Sequence, residues 1–247
     1  MEFTKDVDNS VYVINIARRD RSVYNAGVAK IDNKGGPNLP ARERILLTAH
    51  DLFYREGIRA TGIDRVIAEA GVTKVTFYRH FPSKNALICA FLEHRHQRWM
   101  AWFIEALQRH GGASPGKRLD ALVPTLAEWF RDESFRGCAF INSVGELGGT
   151  LSEVVEIARR HKQEMTSAIA GLLPASTRRK QDMEAVALAV DGAIVRAQFD
   201  GTPDAALKAL SRILRSMAAS SRGLIPRNGS SPPMKREQIL IARRRGS

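Results

Sequence analysis

Ala70-Gly71-Val72-Thr73 is the stretch that most narrows what this chain can become, because it joins two short runs that both read as helix. Before it, Ile63, Val66, Ile67 and Ala70 recur at helical spacing and Gly71 is placed to end the run. After it, Thr73 is positioned to cap a run from Lys74 to His80, which Pro82 and Ser83 break. A glycine at such a joint lets two helices cross steeply within a few residues, the arrangement of a helix-turn-helix. Upstream, Ile45, Ala49, Leu52 and Phe53 share one face of a helix expected over Ala41 to Glu56, with Gly57 as its stop. Thr61-Gly62-Ile63-Asp64 reads as a capping box for the second helix. Downstream, Leu87, Ala90, Phe91, His94 and Arg98 mark a long fourth helix.

The third run is mixed in character. In Val72 to Lys84, threonine, lysine, arginine, histidine and tyrosine surround two phenylalanines four residues apart. That spacing puts Phe77 and Phe81 on one inward stripe and leaves Lys74, Tyr78 and Arg79 on other faces. In a helix-turn-helix the second helix of the pair enters the major groove, N-terminal residues first.

The string TGIDRVIAEAGVTKVTFYRHFPSKNALICAFLE, Thr61 to Glu93, resembles the DNA-binding signature of the tetracycline-repressor (TetR) family of bacterial transcriptional regulators. Thr61, Ala70-Gly71-Val72-Thr73, Phe77-Tyr78, His80-Phe81 and Ser83-Lys84 carry the resemblance, which runs without gaps over about Ala41 to Glu93. Val75 departs from it, standing where many members have Gly or Ala, and either touches a thymine methyl or packs. The resemblance implies that Tyr78, His80 and Lys84 contact phosphates and that Thr61 holds one at the start of the second helix. Lys74, Thr76 and Arg79 are then the candidates for base edges, since Lys and Arg donate to guanine O6 and N7. Each has a plainer role open to it: Arg79 as a phosphate clamp or solvated charge, His80 as a packed helix end, Thr73 as a cap rather than a reader.

Segments 116–131, 151–173, 182–199 and 204–221 are also helical in pattern, and no stretch alternates as a strand. The expected class is therefore all-α, with an N-terminal three-helix helix-turn-helix domain over 41–88 and a larger helical domain over 89–221. Residues 1–40, with a possible short strand at Val11 to Ile16, and the tail 222–247, with a short helix near Lys235 to Arg245, read as weakly ordered. The resemblance implies that the larger domain binds a small-molecule effector and forms a homodimer through its last two helices. Apolar stripes there permit half of a four-helix bundle, with Val190, Ile194, Leu207, Leu210 and Leu214 as the dimer residues; packing on their own chain is the alternative. Phe135 to Gly149 resembles a Gly-Cys-x-x-x-Asn-x-x-x-Glu stretch found in a subset of such regulators. Candidate effector contacts are Trp99, Phe103, Trp129, Phe140, Asn142, Glu146 and His161, any of which also suits a core.

The net charge of +12 is concentrated at the end of the chain, where residues 222–247 hold seven Lys or Arg against one Glu. A basic tail attracts phosphate without reading sequence, so a nonspecific nucleoid-type binder is the second reading. An enzyme is the third: His94, His96, His110, His161, Glu146 and Cys138 could offer acid, base or nucleophile, but they form no catalytic, cofactor or metal motif. Cys89 and Cys138 suit buried thiols. Without an apolar run of spanning length or a secretory leader, a cytoplasmic protein is expected. The sum of these expectations is a ligand-responsive repressor that binds a palindromic operator in double-stranded DNA as a dimer and is released by its effector.

Overall fold

The computed structural model describes residues 39–111 and 118–222, and every regular element among them is helical. The chain order is α1 (Ala41–Glu56), α2 (Ile63–Glu69), α3 (Lys74–His80), α4 (Lys84–Gly111), a 3-10 turn at Arg118–Ala121, then α5 (Leu122–Phe130) and α6 (Ala139–Leu147). It ends with α7 (Ser152–Ala170), α8 (Arg179–Phe199) and α9 (Asp204–Arg222). The expected extension, apart from Leu39 and Pro40, and the basic tail beyond Arg222 lie outside the described residues, as do the strand and short helix anticipated there.

Residues up to Leu214 form one compact unit, and a second begins at Arg215, within α9. The boundary expected near residue 88 falls inside α4, which runs unbroken from the helix-turn-helix head into the body of the first unit. At 1.5 Å per residue α4 is about 40 Å long. In the head, α1 packs against α2, α3 and α4, burying Ile45, Ala49, Leu52 and Phe53. Phe53 meets Phe91 of α4 edge-on at 5.5 Å, which roots the head on the long helix. In the body, α7 is central and packs against α4, α6 and α8.

The capping box anticipated at Thr61 does not form. Gly62 is the N-cap of α2, with no side-chain cap bond, and Thr61 lies fully buried, donating its hydroxyl to the Gly57 carbonyl at 2.8 Å. The hydroxyl thereby closes the α1–α2 loop instead of capping α2.

Candidate functional site

Gly71 makes the turn between α2 and α3. Its φ of 61° lies in the left-handed region, where a Cβ is penalised. Its N–H reaches Ala68 O at 3.2 Å and the N–H of Val72 reaches Ile67 O, which closes the end of α2. Arg44 of α1 locks the turn from behind, donating to the carbonyls of Ala70 and Gly71 at 3.2 and 3.3 Å. Thr73 then caps α3 as expected, its Oγ1 accepting from the Thr76 N–H at 3.1 Å.

The inner side of α3 is held by Phe77, which is fully buried, and by Phe81, over which the Arg42 guanidinium sits at 5.3 Å. The outer side is open. Val75 is 70% exposed and Tyr78 41%, and Lys74 and Arg79 are exposed beside them. Lys74 Nζ lies 3.8 Å from Asp64, but both side chains are well solvated, so the pair costs little to break. Thr76 and His80 are half-buried, and the Thr76 hydroxyl lies 2.9 Å from that of Thr73, which ties it to the cap.

Two of the candidate phosphate contacts are committed elsewhere. Complete burial removes the Thr61 side chain from any surface a phosphate could reach, correcting the role anticipated for it. Lys84 is half-buried and donates to Ile58 O at 2.7 Å, which leaves two of its ammonium hydrogens; burial pushes its pKa below the usual lysine range.

The Gly-Cys-x-x-x-Asn-x-x-x-Glu stretch faces the head. Tyr54 of α1 donates its hydroxyl to Gly137 O at 2.9 Å and accepts from the Arg136 N–H at 3.0 Å. Glu146 of α6 accepts from the Arg59 N–H in the α1–α2 loop at 2.8 Å. Asn142 Nδ2 donates to Arg136 O at 2.9 Å, which fixes the loop that receives Tyr54. Gly137 has φ 82°, a backbone angle that calls for glycine; a Cβ there would meet only the end of the exposed Gln198 side chain, which can move aside.

Asn142 and Glu146 also border a cleft of about 630 Å³ between α1, the α5–α6 loop, α6 and the α8–α9 turn. Trp99, Trp129, Phe140 and His161 border a different cavity of about 10 Å³, and Phe103 borders neither. The seven candidates therefore divide rather than converge. Around the small cavity Phe140 stacks on His161 at 3.7 Å, and Trp99 meets Trp129 at 5.3 Å and Phe103 at 4.7 Å. His161 Nδ1 lies 3.2 Å from His96 Nδ1, while His96 Nε2 faces Glu164 at 3.3 Å. Burial, helped by the Lys162 charge, pushes the His161 pKa down to about 2. Cys138 is buried and Cys89 half-buried, and burial raises the Cys89 thiol.

Residues 45–91, which contain this head, match the model of the bacterial regulatory proteins of the tetR family. A TetR-family transcriptional regulator from Streptomyces coelicolor superposes with a TM-score of 0.64 at 28% identity, over 73% of this chain and 95% of that one. Residues 45–91 are a TetR-family DNA-binding domain. The HTH-type transcriptional activator FasR of Mycolicibacterium smegmatis is 34% identical over 105 residues, 41% of this chain and 47% of FasR. The HTH-type transcriptional repressor NemR of Escherichia coli is 27% identical over 106 residues, 43% of this chain and 53% of NemR. Each match thus spans about half the length of the curated relative. No helix among the described residues is long and apolar enough to cross a membrane.

Beyond this TetR-family domain, the dimer residues anticipated from sequence turn inward. Val190, Ile194, Leu207, Leu210 and Leu214 are all buried within the single chain, so they cannot also form an outer face. The outward apolar residues are Leu188 (75% exposed), Phe199 (72%) and Ile213. On α8, Leu188, Gly192, Val195 and Phe199 follow one another at helical spacing, a stripe that sequence reasoning missed.

Proposed function

We propose that this protein is a ligand-responsive repressor that binds a palindromic operator in double-stranded DNA as a homodimer and is released by a small-molecule effector. One observation carries the reading: α3 is pinned from inside by buried Phe77 while Lys74, Val75, Tyr78 and Arg79 stand free on its outer side. A helix held this firmly can enter a major groove without reorganising. Lys74 and Arg79 address base edges, Val75 a thymine methyl, and Tyr78, His80 and Lys84 the phosphates. The stripe of exposed Leu188 and Phe199 with half-buried Val195 between them, together with Ile213, is the surface that self-association would cover, giving two heads for two half-sites about 34 Å apart.

An effector acts only through a difference in its affinity for two spacings of the heads. Tyr54 of the head and Glu146 of the body, which make the contacts between the two, both border the large cleft, so a ligand seated there bears directly on head position. The relatives include an activator and a repressor; repression is favoured because a shift in head spacing releases DNA without requiring contact with a polymerase.

The test is operator affinity measured on fragments selected from the source genome. Lys74→Ala and Tyr78→Ala should each weaken binding by about tenfold, in keeping with about 1–3 kcal/mol for a good contact. Affinities within twofold of the parent for both variants would remove α3 as the recognition helix. Equal affinity and equal salt slope on random DNA would favour a nonspecific binder.

A further inference from the structure

The small cavity in the body is lined by more hydrogen-bond donors than the fold uses. Three residues that line it each carry a buried polar atom with no partner among the described residues: Arg95 Nη2, Trp99 Nε1 and Trp129 Nε1. Buried polar atoms are nearly always paired, so three orphans around one space mark a place built for an acceptor. Arg95 is 5% exposed; its guanidinium lies over the Tyr54 ring at 3.9 Å and reaches only the neutral acceptor His50 Nε2, at 3.3 Å. It forms no ion pair among the described residues. The other cation on the wall, Lys162, is already paired with Asp191 at 2.6 Å, and no acidic side chain lines the cavity. A buried guanidinium without a carboxylate is costly, which sets this site apart from an ordinary core.

Size and neighbourhood narrow the ligand. About 10 Å³ accommodates one oxygen-sized group. Ala139, with the smallest side chain on the wall, also lines the large cleft, which Phe53, Phe91, Phe130 and Phe135 make partly aromatic. Met165, a flexible thioether, borders the small cavity and can yield.

We propose that the ligand is an organic carboxylate: one carboxylate oxygen occupies the small cavity among Arg95, Trp99 and Trp129, and the apolar body passes Ala139 into the large cleft. The inference deepens the effector reading above and rests on it. A ketone or amide would satisfy the indole N–H groups but leave the guanidinium charge unbalanced; a carboxylate does both.

The test uses the full chain and two matched probe pairs, octanoate against octanamide and benzoate against benzamide, followed by calorimetry and by tryptophan fluorescence, since Trp99 and Trp129 line the site. At least one carboxylate should bind about tenfold or more tightly than its amide, the difference between a charge-assisted and a neutral hydrogen bond. Arg95→Gln should abolish that preference while amide binding persists, which distinguishes a lost contact from a lost fold. Trp129→Phe, which keeps an aromatic side chain but removes the indole donor, should weaken the carboxylate severalfold more than it weakens the matched amide. Ala139→Leu should weaken octanoate and spare acetate. Equal binding of acid and amide, no binding of any probe, or a preference that survives Arg95→Gln overturns the proposal. Operator titration in the same samples separates the two claims. Carboxylate binding without an effect on operator affinity sinks the effector role and leaves the site; release by neutral ligands alone does the reverse.

Discussion

Glu146 on α6 accepts a hydrogen bond from the backbone N–H of Arg59 at 2.8 Å, so a side chain of the body holds the main chain of the head's first loop. A carboxylate acceptor is worth about 1.5–3 kcal/mol, enough to hold the loop closed most of the time. Glu146→Ala should therefore speed hydrogen exchange at the Arg59 amide by about 10- to 100-fold, with little change at Thr73 or Phe77. Amide exchange followed by NMR checks it; unchanged protection would mean the loop is held by Lys84 and Thr61 alone.

Gly71→Ala isolates backbone strain, because a Cβ there meets nothing within 4 Å while φ is 61°. The cost should be about 1–2 kcal/mol, lowering the melting temperature by several degrees. Operator affinity measured well below the transition should fall less than in Lys74→Ala, since the turn is strained but α3 keeps its side chains.

The two faces of α8 give opposite outcomes. Leu188→Glu and Phe199→Glu, on exposed positions, should leave the melting temperature near the parent's but yield a monomer in sedimentation equilibrium. Val190→Asp, at a fully buried position, should unfold the body by leaving a charge without a partner. Should Leu188→Glu and Phe199→Glu both remain dimeric, the stripe is not the interface.

Acid stability follows from the buried histidines. Burial, with His50, Arg98 and Arg95 adding to it, depresses the His94 pKa to about 4; His161 is depressed to about 2, and His50 in the same direction. Each folded pKa lies below the unfolded value near 6.5, so the unfolded chain binds protons first as pH falls. Stability is complete above about pH 6.5 and drops below it, with a slope approaching about 1.4 kcal/mol per pH unit for each histidine still neutral in the fold. Urea midpoints between pH 7.5 and 4.5 measure the slope, and His161→Gln should flatten it.

The head was largely legible in the sequence because local chemistry sets its boundaries. Gly57 and Gly71 end helices, Thr73 caps α3, and Phe77 and Phe81 turn inward as their spacing requires. Thr61 was misread because Thr-x-x-Asp is a cap signal in any context, whereas only the closed loop puts Gly57 O within reach of the hydroxyl. On α8 the failure is one of pattern: Val190 and Ile194 form an inner stripe and Leu188, Val195 and Phe199 an outer one, so apolar periodicity points both ways and only packing against α7 decides. The effector candidates split for a similar reason. Aromatics at helical spacing look alike whether they close a core, as Phe103 does, or border an opening, as Phe140 does.

The contacts that tie head to body are asymmetric in what they demand of the chain. Tyr54 and Glu146 supply side chains, but they are received by the N–H of Arg136, the carbonyl of Gly137 and the N–H of Arg59, which belong to the backbone. Position 59 can therefore carry any residue except proline and still be held. These hydrogen bonds thus ask for only two particular side chains, and the surfaces on either side of them remain at liberty to diversify towards new operators and new ligands.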